Sequence, residues 1–256
     1  MRRVLKTSLS RFSTTPCAMT RFVNFTPKNS NSPKFGILEN DKITCVTASN
    51  LKEHLLSGLD AETSNETYQL SDVTYNSPVT DPEKVICVGK NYIEHAIETG
   101  EGIPTEPLIF NKFPSSITGH ENPVYLPKIG ATVDWEGELA VVIGKDGYSI
   151  KREDAMEYVA GYTIANDVSA RDWQKKRNKG QWLLGKTFNT FCPLGPVFVS
   201  KDEIDNVQNL DIKTFVNDEV MQSSNTSKMA FPVDVIIEWV SQFCTLKVGD
   251  VIKISL

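Results

Sequence analysis

The stretch from Val133 to Gly144 constrains the chain most, because it sets three carboxylates into a segment that otherwise reads as a buried strand. Its β-branched run, the Gly144 stop and the Asp146-Gly147 turn signal predict one continuous strand. Side chains alternate faces along a strand, so Asp134, Glu136 and Glu138 are expected beside Ala140 and Val142, with Trp135, Leu139, Val141 and Ile143 opposite. Two carboxylates about 7 Å apart repel by about 2 kcal/mol at an effective dielectric of 20, and burial adds to that cost unless cations or protons intervene. Two readings follow: a solvated acidic edge strand, or a site for a hard cation such as Mg²⁺, which takes oxygen ligands. Zinc is disfavoured by three histidines and no paired cysteine motif.

A further acid lies downstream. Gly161 to Val168 predicts another strand, running into Ser169-Ala170-Arg171-Asp172, an S-x-x-D helix-start signature that leaves Asp167 at a strand-to-helix junction.

Residues 1–20 carry Arg2, Arg3, Lys6 and Arg11 with no acid, among many Ser and Thr, which is a mitochondrial transit composition and places the protein in the matrix. Setting those four cations aside takes the net charge from −5 to −9, which with no basic stripe argues against nucleic acid. No apolar run approaches eighteen residues, which excludes a helical membrane span. Five widely spaced cysteines fit reduced packing residues better than a disulfide framework.

Residues 21–80 read as a small β-rich domain: strands near 22–25, 35–38 and 43–46, an Asn40-Asp41 turn, a helix over 51–59, then a polar linker over 60–77. Residues 81–256 read as a compact α/β domain with strands over 84–89, 108–110, 124–126, 197–200 and 210–216. A polar loop is expected through Ser223 to Thr226, a helix after Pro232, and a strand from Val248. His95 and Glu98, spaced i, i+3 on a predicted helix, fit a surface pair or a carboxylate-oriented imidazole. Gly180 to Thr187 matches G-x-x-x-x-G-K-[ST], but it lacks the preceding apolar strand, and Pro193 stands where helix would continue. The nucleotide-loop reading is therefore poor, and Lys186 is kept as a cation that could face the acids.

Taken together, Val88-Gly89-Lys90-Asn91-Tyr92, Asp134-Trp135-Glu136-Gly137-Glu138-Leu139, Ala165-Asn166-Asp167-Val168-Ser169-Ala170-Arg171-Asp172, Trp182 to Phe188 and Val248-Gly249-Asp250-Val251-Ile252 resemble the fumarylacetoacetate hydrolase superfamily, and within it the mitochondrial domain-containing proteins of the second type. The resemblance implies a mixed, β-rich α/β β-roll, a homodimer, and Mg²⁺ or Mn²⁺ held by Glu136, Glu138 and Asp167 with Asp134 behind them. It implies His95 and Glu98 as a catalytic dyad, Lys186 as the active-site lysine, and Arg171 and Gln174 as contacts to a small 2-oxo dicarboxylic acid. The activity implied is oxaloacetate keto-enol tautomerisation, with C–C hydrolysis of acylpyruvates or fumarylacetoacetate-like substrates, or oxaloacetate decarboxylation, as alternatives. The superfamily continues from G-D-V-I into a T-G-T-P loop, whereas Lys253-Ile254-Ser255-Leu256 follows here. A truncated C-terminal part of the roll is thus expected, with an inactive metal-binding dimer as the non-enzyme reading.

Overall fold

The computed structural model describes residues 20–98, 102–129 and 132–256, without the side chains of His95, Ala96 and Glu98. The expected transit segment lies outside the described residues except for Thr20. One mixed sheet of eleven strands organises the chain. At its N-terminal end β1 (Arg21–Pro27), β2 (Lys34–Glu39), β3 (Lys42–Val46) and β4 (Thr63–Gln69) form a meander, with β5 (Val73–Tyr75) paired to β1. Asn40 and Asp41 turn β2 into β3 at φ of 46° and 64°, the positive values a tight hairpin turn needs. Helix α1 (Leu51–Ser57) starts where Asn50 Oδ1 accepts from the Glu53 N–H at 2.9 Å, and stops at Gly58 with φ 61°.

The strand β4 lies in the stretch expected to be a linker. Among the described residues only β3 flanks it, and its residues are exposed apart from a half-buried Tyr68, so no apolar alternation marks it in the sequence.

The rest of the chain supplies β6 (Val85–Gly89), α2 (Ile93–Glu98), β7 (Leu108–Lys112), β8 (Ile117–Thr118), β9 (Val133–Asp134), β10 (Gly137–Ile143), β11 (Val159–Asn166), β12 (Ser169–Ala170) and α3 (Arg171–Lys175). After these come α4 (Leu183–Lys186), β13 (Cys192–Pro193), β14 (Val197–Ser200), β15 (Asp211–Val216), β16 (Glu219–Asn225), α5 (Val233–Ser241) and β17 (Val251–Ser255). The main sheet runs β4-β3-β2-β1-β14-β11-β10-β17-β6-β7, so pairing of β1 with β14 carries the N-terminal strands into the sheet that holds the acids. β17 lies between β10, antiparallel, and β6, parallel.

The alternation expected of β10 divides two cores. Leu139, Val141 and Ile143 pack with Val233, Ile236, Ile237 and Val240 of α5. Ala140 and Val142 face Phe22, Phe35, Cys87 and Phe198 on the other side. Cys45, Cys87, Cys192 and Cys244 are free thiols, three of them buried.

Four local expectations are corrected. Val124 to Leu126 is loop, with Tyr125 and Leu126 standing in solvent and no strand beside them. Ser223 to Asn225 belongs to β16, paired with β15 across an Asn217-Asp218 turn at φ of 50° and 68°. Its polar residues suit a two-stranded ribbon that is wet on one face. The C-terminal strand begins at Val251, after a turn in which Gly249 takes φ 86° and Asp250 accepts from the N–H groups of Lys84 and Lys247. Ser169 does not start a helix: it pairs with Asp134, its hydroxyl donates to the Asp167 carbonyl at 2.7 Å, and α3 begins two residues later.

Candidate active site

The expected single strand through the acids is broken. Trp135 and Glu136 leave the ladder between β9 and β10, because the Trp135 N–H donates to Asp134 Oδ1 at 3.0 Å and the Glu136 N–H to Asn166 Oδ1 at 3.1 Å. The Glu136 carbonyl still accepts from the Asp167 N–H at 2.7 Å, which lays this bend against the end of β11. A Cβ on Gly137, just after the bend, would stand 2.1 Å from Thr214 Oγ1 and force that side chain to shift. Through this bend rather than through strand alternation, oxygens of Glu136, Glu138 and Asp167 all come within 4.8 Å of one another.

Glu138 is fully buried, so the solvated-edge reading fails for it, and Asp167 is fully buried beside it. Cations from four separate elements meet the acids. Lys112, at the end of β7, donates to Asp167 Oδ1 at 2.5 Å and to the Val168 carbonyl at 3.0 Å. Lys186, at the end of α4, donates to Asp167 Oδ2 at 2.8 Å and Glu136 Oε2 at 2.6 Å. Lys253, within β17, lies 2.9 Å from Glu138 Oε2 and 3.2 Å from Asp167 Oδ1, and Ser255 Oγ donates to Glu138 Oε1 at 2.6 Å. Arg171, opening α3, contacts Glu136 Oε1 at 2.6 Å and Asp134 Oδ2 at 2.7 Å, and donates to Gln174 Oε1 at 2.9 Å. Asp134 thus reaches the cluster through Arg171.

Burial and neighbouring charges pull these groups in different directions, and for Lys112 burial wins over the pull of Asp167 and lowers its value. Burial by itself would push Asp167 up, but Lys112, Lys253 and Lys186 overcome it and hold the carboxyl well below the usual range. Burial disfavours the charge on Lys186, and Asp167, Glu136 and Glu138 more than offset it, leaving its value raised. The same balance, set by Asp167 and Glu138, holds Lys253 well above its ordinary value. Glu138 is pushed up, chiefly by burial, against the pull of Lys253. Both its oxygens accept hydrogen bonds, however, which is the arrangement of a carboxylate.

A cleft of about 640 Å³ opens over the cluster, lined by Asp134, Glu136, Arg171, Gln174 and Lys186 together with Trp182 and Gln222. The oxygen-only donor set of Glu136, Glu138 and Asp167 fits a hard divalent ion. The G-x-x-x-x-G-K-T match is not a phosphate loop. A Cβ on Gly185 would lie 2.6 Å from the Gln174 backbone nitrogen, and Trp182 packs edge-on to Phe110. Of the expected site residues, the structure gathers Glu136, Glu138, Asp167, Arg171, Gln174 and Lys186. The side chains of His95 and Glu98 lie outside the described residues, although the backbone of both belongs to α2. Sequence reasoning missed Lys112 and Lys253. The signal available was a lone lysine inside an apolar strand, as in Val251-Ile252-Lys253-Ile254, which predicts a buried counter-ion.

A family model described as fumarylacetoacetate (FAA) hydrolase C-terminal matches residues 84–254. The chain is 44% identical over 255 residues to the Xenopus laevis protein named oxaloacetate tautomerase fahd2, mitochondrial, covering 93% of this chain and 80% of that one. It is 58% identical over 182 residues to the human protein named oxaloacetate tautomerase FAHD2A, mitochondrial, covering 71% of this chain but only 58% of the human one. Among solved structures it resembles a fumarylacetoacetate hydrolase from Exiguobacterium antarcticum (TM-score 0.81, 34% identity, 92% of this chain and 86% of that one). It also resembles a 5-carboxymethyl-2-hydroxymuconate delta-isomerase from Mycobacterium smegmatis (TM-score 0.79, 33% identity, 92% and 88%). The mixed, β-rich fold expected from the sequence is therefore the fold of these neighbours.

Proposed function

Because the chain belongs to the fumarylacetoacetate hydrolase family, we propose that it is a divalent-metal-dependent enzyme of small 2-oxo acids that interconverts the keto and enol forms of oxaloacetate. The observation carrying this reading is the convergence of Glu136, Glu138 and Asp167 beneath a cleft that also presents Arg171, Gln174 and Lys186. Relatives named oxaloacetate tautomerase narrow the substrate.

Glu136, Glu138 and Asp167 are the residues that would hold Mg²⁺ or Mn²⁺. When bound, such an ion supplies Lewis-acid polarisation of the 2-oxo group. Arg171 and Gln174 orient a substrate carboxylate at the mouth of the cleft. Lys186 is held as a cation by Asp167 and Glu136, so its role is to donate a hydrogen bond to negative charge developing on the 2-oxo oxygen rather than to act as a base. His95 with Glu98 as its dyad partner, or a bound water, takes the proton from C3, and water protonates the 2-oxo oxygen to complete the enol, the hydroxide left behind taking up the proton removed from carbon. The balance is one proton lost from carbon and one gained by oxygen, with no bond between carbons broken. The protein is proposed to act as a homodimer in the mitochondrial matrix. Exposed Phe215, Val220 and Met221 on the β15–β16 hairpin support the dimer, and the mitochondrial relatives support the location. No helix among the described residues is long and apolar enough to cross a membrane.

The test follows enol-oxaloacetate absorbance with added Mg²⁺ or Mn²⁺. Decay faster than in buffer, without pyruvate release, is expected, and Glu136→Gln should lower the rate by about 10²-fold or more. Pyruvate formed from acylpyruvates or from oxaloacetate would overturn the tautomerase reading in favour of hydrolysis or decarboxylation.

A further inference from the structure

Three carboxylates able to hold a divalent ion are already bridged by an ammonium of this same chain. Lys253 Nζ stands 2.9 Å from Glu138 Oε2 and 3.2 Å from Asp167 Oδ1, and it has no exposed surface. Its backbone is fixed on both sides, opposite Ala140 of β10 and Cys87 of β6, so the side chain enters the cluster from the middle of the sheet. Ser255, two residues on and therefore on the same face, takes the remaining oxygen of Glu138. One strand thus occupies both oxygens of one candidate ligand and one oxygen of another.

We propose that Lys253 is a built-in counter-ion that competes with a divalent cation for Glu138 and Asp167. This rests on the assignment of the metal to Glu136, Glu138 and Asp167.

Charge and geometry both support competition rather than coexistence. Asp134, Glu136, Glu138 and Asp167 are matched one for one by Lys112, Lys186, Lys253 and Arg171. A divalent ion added to that set leaves two uncompensated positive charges in a buried site, a costly state. An ammonium also keeps its oxygens at about 2.7–3.2 Å, whereas Mg²⁺ draws them to about 2.0–2.1 Å. Two carboxylates cannot satisfy both from the same oxygens. Among these cations Lys253 alone contacts Glu138, so displacing it frees Glu138 Oε2 and removes the second of two ammonium groups on Asp167 Oδ1, where Lys112 stays.

The experiment compares Mn²⁺ and Mg²⁺ binding by calorimetry in the full chain and in Lys253→Met, which keeps the apolar stem and removes the charge. Affinity is expected to rise by about tenfold or more in the variant, since a unit charge beside a divalent ion is strongly repelled. Equal affinity in both proteins overturns the competition and leaves the metal site standing. Binding in neither overturns the metal assignment and the competition with it. Should Lys253→Met fail to fold, the unsubstituted chain still decides. Amine acetylation of Lys253, read by mass spectrometry, is expected to be negligible without metal and to rise severalfold when saturating Mn²⁺ is bound. Mn²⁺ binding with Lys253 still fully protected overturns the proposal.

Discussion

Two parts of one sheet stabilise themselves in opposite ways. At the N-terminal end, β1 and β3 bury Val23, Phe25, Ile43 and Cys45 against Val73 of β5, with Leu38, Tyr68 and Val197 at the margin. Toward the other end, β7, β10 and β17 bury Lys112, Glu138 and Lys253, and Asp167 and Lys186 join them. The first region gains from each side chain separately, at about 25 cal/mol per Å² of apolar surface removed from water. The second gains little from any single ion pair, because desolvating both partners offsets their attraction, and it stands only while every charge has its counterpart. The apolar end supplies stability that the ionic end does not.

The largest expected contrast comes from removing one charge at the centre of the ionic set. Asp167 contacts Lys112, Lys186 and Lys253, so Asp167→Asn strands ammonium groups that cannot reach water. It should cost about 3–5 kcal/mol in urea denaturation, and metal binding should be lost with it. A cost below 1 kcal/mol would erase the distinction between the two regions. The matched change at the apolar end is Ile43→Val, which removes one methylene from a fully buried side chain. There the expected loss is about 1 kcal/mol, measured the same way, and a loss as large as that of Asp167→Asn would show that the ends are equally intolerant.

The smallest effect separates them by pH. His54 is half-buried with its ring 4.6 Å from that of Phe22, and desolvation, partly opposed by Asp60, holds its value below the ordinary one. The unfolded chain therefore takes up a proton first. Stability linked to His54 is complete above about pH 6.5 and is lost as pH falls below it. His54→Gln should flatten melting temperature against pH in that window, and an unchanged slope would assign the acid sensitivity elsewhere.

How much of this was legible beforehand depended on the range of the interaction. The core-splitting alternation of β10, the helix after Pro232 and the Asn40-Asp41 turn are carried by neighbours along the chain, and they stand where the residues imply. The strands β4 and β16 were unreadable as strands because their exposure leaves no apolar period, only the turn Asn217-Asp218 hinting at the second. Val124 to Leu126 shows the converse, an apolar triplet with no strand to pair with.

The candidate site divides along the same line. Local pattern put Asp134, Glu136 and Glu138 forward as either a solvated edge or a cation site and kept Lys186 as a cation that could face them, and the motifs added Asp167 and Arg171. Only the tertiary structure decided which cations meet them. The bend at Trp135 and Glu136 is set by Asn166 of β11, and Lys253 reaches Glu138 across 115 residues of sequence. A charge buried in a strand must find a partner, but periodicity states only that it is buried, and strand register in the folded sheet selects the partner.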